Sequence, residues 1–250
     1  MTAMIQAEGL LKCYGRLRAV EDVHLSVAPG ELYCFLGPNG AGKTTTIKML
    51  IGLLRPDAGS VRIGGLDVWT EPVRAKAMIG YVPDAAHLYD QLTAREFLGF
   101  VADVFRLGAS ERARRIDRLL SAFELADDAD QLIGGFSRGM RQKVVLSAAL
   151  LHDPQAIFLD EPTVGLDPRA ARTLKDLLLE ACGRGAAVFM STHILEVAET
   201  MADRVGIIQH GKMLYQGSVA GLREYQHGPA SASLEDLFLA LTAPVEPHNA

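Results

Sequence analysis

Nine residues, Gly37, Pro38, Asn39, Gly40, Ala41, Gly42, Lys43, Thr44 and Thr45, constrain this chain more than any other stretch. They follow the apolar run LYCFL and lead into a helical pattern that begins at Lys43 and reaches Leu54. The spacing matches G-x-x-x-x-G-K-[ST], which has physical meaning only between a strand and a helix. Glycine admits positive φ and close backbone approach, so successive N–H groups face an anion at the positive end of the helix. Lys43 then reaches the β- and γ-phosphates of a nucleotide, and the Thr44 hydroxyl is a ligand for Mg²⁺.

A second stretch, AIFLDEPTVGLD, carries three large apolar residues directly into Asp160 and Glu161, with Pro162 behind them. It reads as a strand covered on both faces whose C-terminal end releases two acids. In an open α/β sheet that end is where ligands bind. Beside a phosphate loop, Asp160 is expected to hold Mg²⁺ through water, and Glu161 to polarise the water that attacks the γ-phosphate.

Short strands (IQAEGLL, VHLSVA) open the chain, and strands and helices alternate after it. Between about residues 85 and 150 helical patterns interrupt this alternation. LTAREFLGFVADVF sets Phe97, Phe100, Val101 and Val104 on one helical face behind a Thr93/Glu96 capping box, and Ser110 is the expected N-cap of the next helix. The expected architecture is α/β: a P-loop NTPase core with a mostly parallel sheet, an N-terminal antiparallel β-subdomain and an inserted α-helical subdomain. One domain over residues 1–243 is expected, followed by a disordered tail at 244–250.

Composition excludes several classes. With 25 Lys and Arg against 30 Asp and Glu, the net charge of −5 leaves no global footprint for nucleic acid or an anionic membrane. Cys13, Cys34 and Cys182 have no metal or disulfide spacing, which fits a reducing cytosol. No secretory leader and no run of about 18 apolar residues is visible, so any membrane span is expected on another chain.

Further motifs resemble the nucleotide-binding subunit of an ATP-binding cassette (ABC) transporter across essentially the whole chain. FSRGMRQK, Phe136 to Lys143, resembles the family signature Leu-Ser-Gly-Gly-Gln; VGLD, ending at Asp167, looks like its D-loop; STHILEVAE contains His193 where the family has its switch histidine. The resemblance implies ATP and Mg²⁺ as cofactors, Tyr14 stacked on adenine, and His193 hydrogen-bonded to the γ-phosphate. It also implies Ser137 and Gly139 facing the γ-phosphate of a second ATPase subunit in a head-to-tail dimer. Arg138 and Met140 depart from the signature but leave Ser137 and Gly139 available. Asp167, followed by Pro168, also suits a helix N-cap. Asp84 stands where the family usually has the glutamine of its Q-loop, and it either joins the ATP site or occupies a plain turn after Pro83. The ending SLEDLFLAL, with GMRQK, is similar to ABC-2-type exporter ATPases. That implies a transmembrane permease subunit as partner, a cytoplasmic position on the inner face of the cell membrane and no direct contact with nucleic acid. The competing reading is a soluble ABC-type ATPase acting on a nucleic acid or ribosome. The arginines of RARRIDR read first as a solvated helix face, with a membrane partner or anionic headgroups as the alternative contact.

Overall fold

A computed structural model describes residues 3–85, 87–226 and 232–243. The chain order is β1 (Ile5–Tyr14), β2 (Leu17–Val27), β3 (Leu32–Leu36), α1 (Lys43–Leu50), β4 (Ala58–Ile63), β5 (Leu66–Asp67), α2 (Pro72–Lys76), β6 (Ile79–Val82), α3 (Ala94–Val104), α4 (Ala109–Ala122) and α5 (Arg138–Leu150). It continues through β7 (Ala156–Asp160), α6 (Pro168–Gly183), β8 (Ala187–Thr192), α7 (Leu195–Met201), β9 (Arg204–Gln209), β10 (Lys212–Gly217), α8 (Val219–Tyr225) and α9 (Leu234–Thr242).

Two sheets result. An antiparallel sheet runs β2-β1-β4-β5, and a larger one runs β10-β9-β3-β8-β7-β6, parallel except for the β9–β10 pair. The period of two along a strand explains how both faces of the larger sheet are buried. In β3, Leu32, Cys34 and Leu36 enter one hydrophobic cluster, with the helices α3 to α6, while Tyr33 and Phe35 enter a second, against the antiparallel sheet. β7 and β8 repeat the division: Ile157, Leu159, Val188 and Met190 on one side, Phe158 and Phe189 on the other. Phe189 sits at the centre of the second cluster, with ring centroids 5.2 Å from Phe35 and 5.9 Å from Phe158. Truncating one such buried ring costs about 3–5 kcal/mol. Burial also raises the Tyr33 and Cys34 pKa values far above their ordinary range, so both stay neutral.

The strands β3, β6, β7 and β8 point the same way, so their C-terminal ends share one edge of the sheet. That edge delivers the segment after Leu36, the turn at Asp84, the pair Asp160–Glu161 and the segment at His193 to one place.

Several local expectations change. β1 and β2 are longer than the apolar runs indicated, because the pairing continues to a tight turn at Gly15, whose φ is +62°. Helix α1 closes at Leu50, not Leu54, followed by Gly52 at φ +66°. The Thr93/Glu96 capping box is present, but Ser110 is not the cap of α4. The Arg112 N–H already bonds the Gly108 carbonyl at 2.8 Å, so the helix starts earlier and Gly108 is its N-cap. On α3 only part of the proposed face is inward: Phe97 is buried, whereas Phe100 and Val104 are exposed. A single helical stripe is too narrow to bury all four residues against α4 and α5. The expected disordered tail at 244–250 lies outside the described residues.

Candidate functional site

The loop from Gly37 to Gly42 wraps the start of α1 in a conformation that its glycines make possible. Gly40 and Gly42 have φ of +78° and +110°, and a Cβ on Gly42 would lie 2.5 Å from the Ala19 carbonyl oxygen. Gly37 has a different reason: its Cβ would meet the Ile208 carbonyl at 2.4 Å. Pro38, Asn39, Gly40, Gly42, Lys43, Thr44 and Thr45 line a cleft of about 460 Å³ together with Tyr14, Arg18, Asp84, Asp160, Glu161 and His210, while Gly37 and Ala41 lie buried behind it. A volume of that size is within the usual range for small-molecule sites.

Beneath the cleft is a closed polar network. Asp160 is 1 % exposed, and both carboxylate oxygens are used: the Thr44 hydroxyl donates to one at 2.8 Å and the Ser191 hydroxyl to the other at 2.5 Å. An isolated carboxylate could not be buried so completely, so these two donors are a condition for its presence. Lys43 is also buried, its ammonium donating to the Gly37 carbonyl at 2.7 Å and standing 3.6 Å from Glu161 Oε1. The other Glu161 oxygen accepts from His193 twice, from Nδ1 at 2.9 Å and from the backbone N–H at 3.2 Å. Because a carboxylate can only accept, Nδ1 carries the hydrogen and Nε2 is left for another partner. Glu161 has φ of +50°, an uncommon conformation for a residue with a side chain. It sits where the chain leaves β7, and its own N–H is held by the Ser191 carbonyl at 3.1 Å.

The sequence-derived candidates thus fall into two groups. Tyr14, the glycine loop, Lys43, Thr44, Thr45, Asp84, Asp160 and Glu161 meet at one cleft, and His193 joins them through Glu161. Tyr14 is half exposed, beside the exposed Leu17. Asp84 is an exposed residue of a bend and stands on the cleft wall. Its charge is felt there: burial raises the Tyr81 hydroxyl to about 12, with Asp160 and then Asp84 adding to the effect.

Ser137 and Gly139 are elsewhere and line no part of this cleft. Ser137 is the N-cap of α5, its hydroxyl accepting from the Met140 N–H at 3.3 Å. Gly139 is required by proximity, since a Cβ there would be 2.9 Å from the Gly165 carbonyl. The same region ties α5 to the segment after Glu161: Gln142 donates to the Pro162 carbonyl at 3.2 Å, and Lys143 is 3.1 Å from Asp167. Asp167 caps α6 by accepting from the Ala170 N–H at 2.8 Å, and that bond, followed by Lys143, holds its pKa below the ordinary carboxylate value.

Ser191, Arg18 and His210 were not singled out from the sequence. Ser191 reaches the site because the parallel register of β7 and β8 pairs it with Asp160. Arg18 and His210 carry no local signal and reach the cleft only through tertiary contacts.

A family model described as "ABC transporter" matches residues 20–164. The chain belongs to the ABC transporter family. It is 37% identical to the linearmycin resistance ATP-binding protein of Bacillus subtilis over 88% of this chain and 70% of that one. Identity to a daunorubicin resistance ATP-binding protein of Streptomyces coeruleorubidus is 38%, over 88% and 69% of the two chains. Among solved structures, an ATP-binding subunit of an ABC transporter superposes with a TM-score of 0.91 at 36% identity, covering 96% of this chain and 99% of the other. A dimeric ATP-binding cassette in a post-hydrolysis state with ADP and phosphate gives 0.80 at 26% identity, covering 86% and 99%. As an ABC transporter ATPase the chain binds and hydrolyses ATP, and subunits of this kind work with transmembrane partners and dimerise. Among the described residues no helix is long and apolar enough to cross a membrane.

Proposed function

We propose that this subunit powers export through a separate transmembrane permease, hydrolysing Mg-ATP at the cleft between Lys43 and Glu161 while paired head to tail with a second ATPase subunit. Residues 1–243 are read as one ATPase domain, with the helical block at about 85–150 inserted in its core. The observation that carries the catalytic reading is the placement of Glu161. Its carboxylate is bracketed by Lys43 on one oxygen and His193 on the other, at the mouth of the loop that takes the phosphates. A carboxylate so held is oriented to accept a proton from water aligned with a γ-phosphate, and Lys43 supplies positive charge where negative charge accumulates.

Thr44 and Asp160 fit Mg²⁺ by their chemistry, being hard oxygen donors 2.8 Å apart. The ion would neutralise phosphate charge and orient the triphosphate. Among the described residues no group of three or more His, Cys, Asp and Glu side chains is placed for a metal, so the remaining ligands in this reading are phosphate and water oxygens.

Ser137 and Gly139 are at a helix start away from this chain's own cleft, which supports their use across a dimer. Export draws on the relatives, whose names include drug resistance and, at 36% identity, Nod factor export in Burkholderia orbicola. A permease would find an apolar groove lined by Pro83, Leu88, Phe97, Val101 and Phe105, with Tyr89, Phe100 and Val104 exposed on the neighbouring surface. The groove adjoins Asp84, so such a contact could sense the cleft. With its membrane spans on the partner, the subunit would lie on the cytoplasmic face. Action on a nucleic acid or ribosome draws no support from a net charge of −5.

The test is Glu161→Gln. Hydrolysis should fall by about 10²-fold or more while ATP binding persists, the usual scale for loss of a general base. Gel filtration with saturating Mg-ATP should then show a dimer. Normal turnover in the variant would remove Glu161 from the chemistry.

A further inference from the structure

We infer that the chain has a second small-molecule site, for a single-chain acidic amphiphile, in an open cavity bordered by α4, the end of α5 and α6. This cavity has a volume of about 310 Å³ and is separate from the nucleotide cleft, sharing none of its lining residues. Its rim carries four arginines, Arg114, Arg115 and Arg118 from α4 and Arg184 from the turn after α6, and two carboxylates, Asp153 and Glu180. Its floor is apolar, formed by Leu119, Leu150, Leu151, Ile157, Leu177 and Ala181.

The charges on the rim do not balance. Arg115 pairs with Glu111 at 2.7 Å, Arg118 with Glu180 at 2.5 Å, and Arg184 with Glu180 at 2.7 Å and Asp153 at 2.9 Å. Three carboxylates therefore serve four guanidinium groups, and among the described residues Arg114 has no ion-pair partner. The deficit is one negative charge. The pairs made by Arg118 and Arg184 are solvent-exposed and contribute little stability, on the order of 0–1 kcal/mol each, so these two arginines can turn toward an incoming anion at small cost. Guanidinium groups suit a planar carboxylate because they can donate two parallel hydrogen bonds to it.

The floor determines the rest of the ligand. An inorganic anion would leave the leucine surface in water, whereas an alkyl chain attached to the anionic group would cover it, at roughly 25 cal/mol per Å² of apolar area. At about 310 Å³ the cavity is at the small end of ligand sites and holds one chain, which excludes a two-chain phospholipid. The arginine-rich segment RARRIDR is thus more than a solvated face: three of its arginines converge with a fourth from α6 over an apolar pocket. Bound there, the ligand joins α4, within the helical block, to α6, whose N-cap Asp167 follows the segment after Glu161.

Decanoate, kept below its micelle-forming concentration, is the probe. Calorimetry on the full chain should show saturable binding that saturating Mg-ATP does not displace, with hydrogen-exchange protection in α4 and α6. Arg114→Glu should weaken decanoate binding by about tenfold or more, equivalent to about 1.4 kcal/mol, and Arg114→Lys should restore most of it. Leu177→Asn, on the half-buried floor, should also weaken it by removing the tail contact. Retained ATP binding by each variant shows that the fold is intact. The proposal fails if decyltrimethylammonium or decanol binds as well as decanoate, if ATP displaces the probe, if neither substitution matters, or if inorganic phosphate binds as tightly.

Discussion

The nucleotide cleft and the start of α5 both present backbone N–H groups at a helix N-terminus, yet they are built differently. In the cleft every polar group that matters is already engaged. Thr44 and Ser191 hold Asp160, while Lys43 and His193 hold Glu161, most of it out of water. At α5, the Ser137 hydroxyl is occupied by its own helix, and the neighbouring Arg138 is exposed and has no ion pair among the described residues. One end is preorganised within a single chain; the other offers an anion site and nothing to complete it. The contrast teaches that ATP affinity should belong to the monomer and turnover to the pair.

The largest expected effect breaks the first half of that statement. Lys43→Ala should abolish hydrolysis and weaken ATP binding measured by fluorescent-nucleotide titration, because it removes the one ammonium at the phosphates and leaves Glu161 without its cationic neighbour. Normal turnover would show that the cleft is not the site of chemistry. The second half is tested at Ser137. Ser137→Asp retains an N-capping oxygen, so melting temperature and monomer ATP affinity should hold, but a carboxylate now opposes a phosphate and hydrolysis should drop by about tenfold or more. Unchanged activity would mean that α5 plays no part across a dimer.

A third prediction concerns stability at acid pH. His152 is half-buried against Phe105, ring centroids 3.6 Å apart, with Nε2 donating to the Ile79 carbonyl at 3.0 Å and Nδ1 unpartnered. Burial lowers its pKa from 6.5 to about 4. The unfolded chain therefore takes up a proton near pH 6.5 that the folded chain refuses until about pH 4. Stability from this group is complete above the unfolded value and declines as the pH falls through that interval, by on the order of 3 kcal/mol. Urea titrations should show His152→Gln losing that share of the acid sensitivity; an identical pH slope would exclude it.

The smallest effect lies at Asp84, which borders the cleft without being fixed by it. Asp84→Asn should shift the Mg²⁺ concentration for half-maximal hydrolysis by a few-fold, and Asp84→Gln should preserve turnover. If neither the Mg²⁺ dependence nor the turnover changes, Asp84 belongs to its turn alone.

Much of this was legible in the sequence because strand ends and glycine loops carry local signals. Gly37 to Thr45, Asp160, Glu161 and Asp167 each announce their geometry by what precedes and follows them. Ser191 did not, since a serine in a buried strand shows its purpose only when the parallel neighbour brings a carboxylate beside it. Phe100 and Val104 were placed inward by periodicity, but helical phase alone does not say where a partner helix ends. The Arg114–Arg184 cavity was invisible for a similar reason: its charges come from elements about 70 residues apart in sequence.

The alternating burial of β7 has a consequence for the gene as well as for the protein. Five codons, Ala156 to Asp160, serve two hydrophobic cores and one carboxylate in strict alternation. Deleting or inserting a single codon there would exchange Phe158 and Leu159 between cores and rotate Asp160 away from Ser191 at the same stroke. The strand therefore acts as a reading frame in space. Within it the packing of both cores and the hydrogen bonds of Asp160 are lost together.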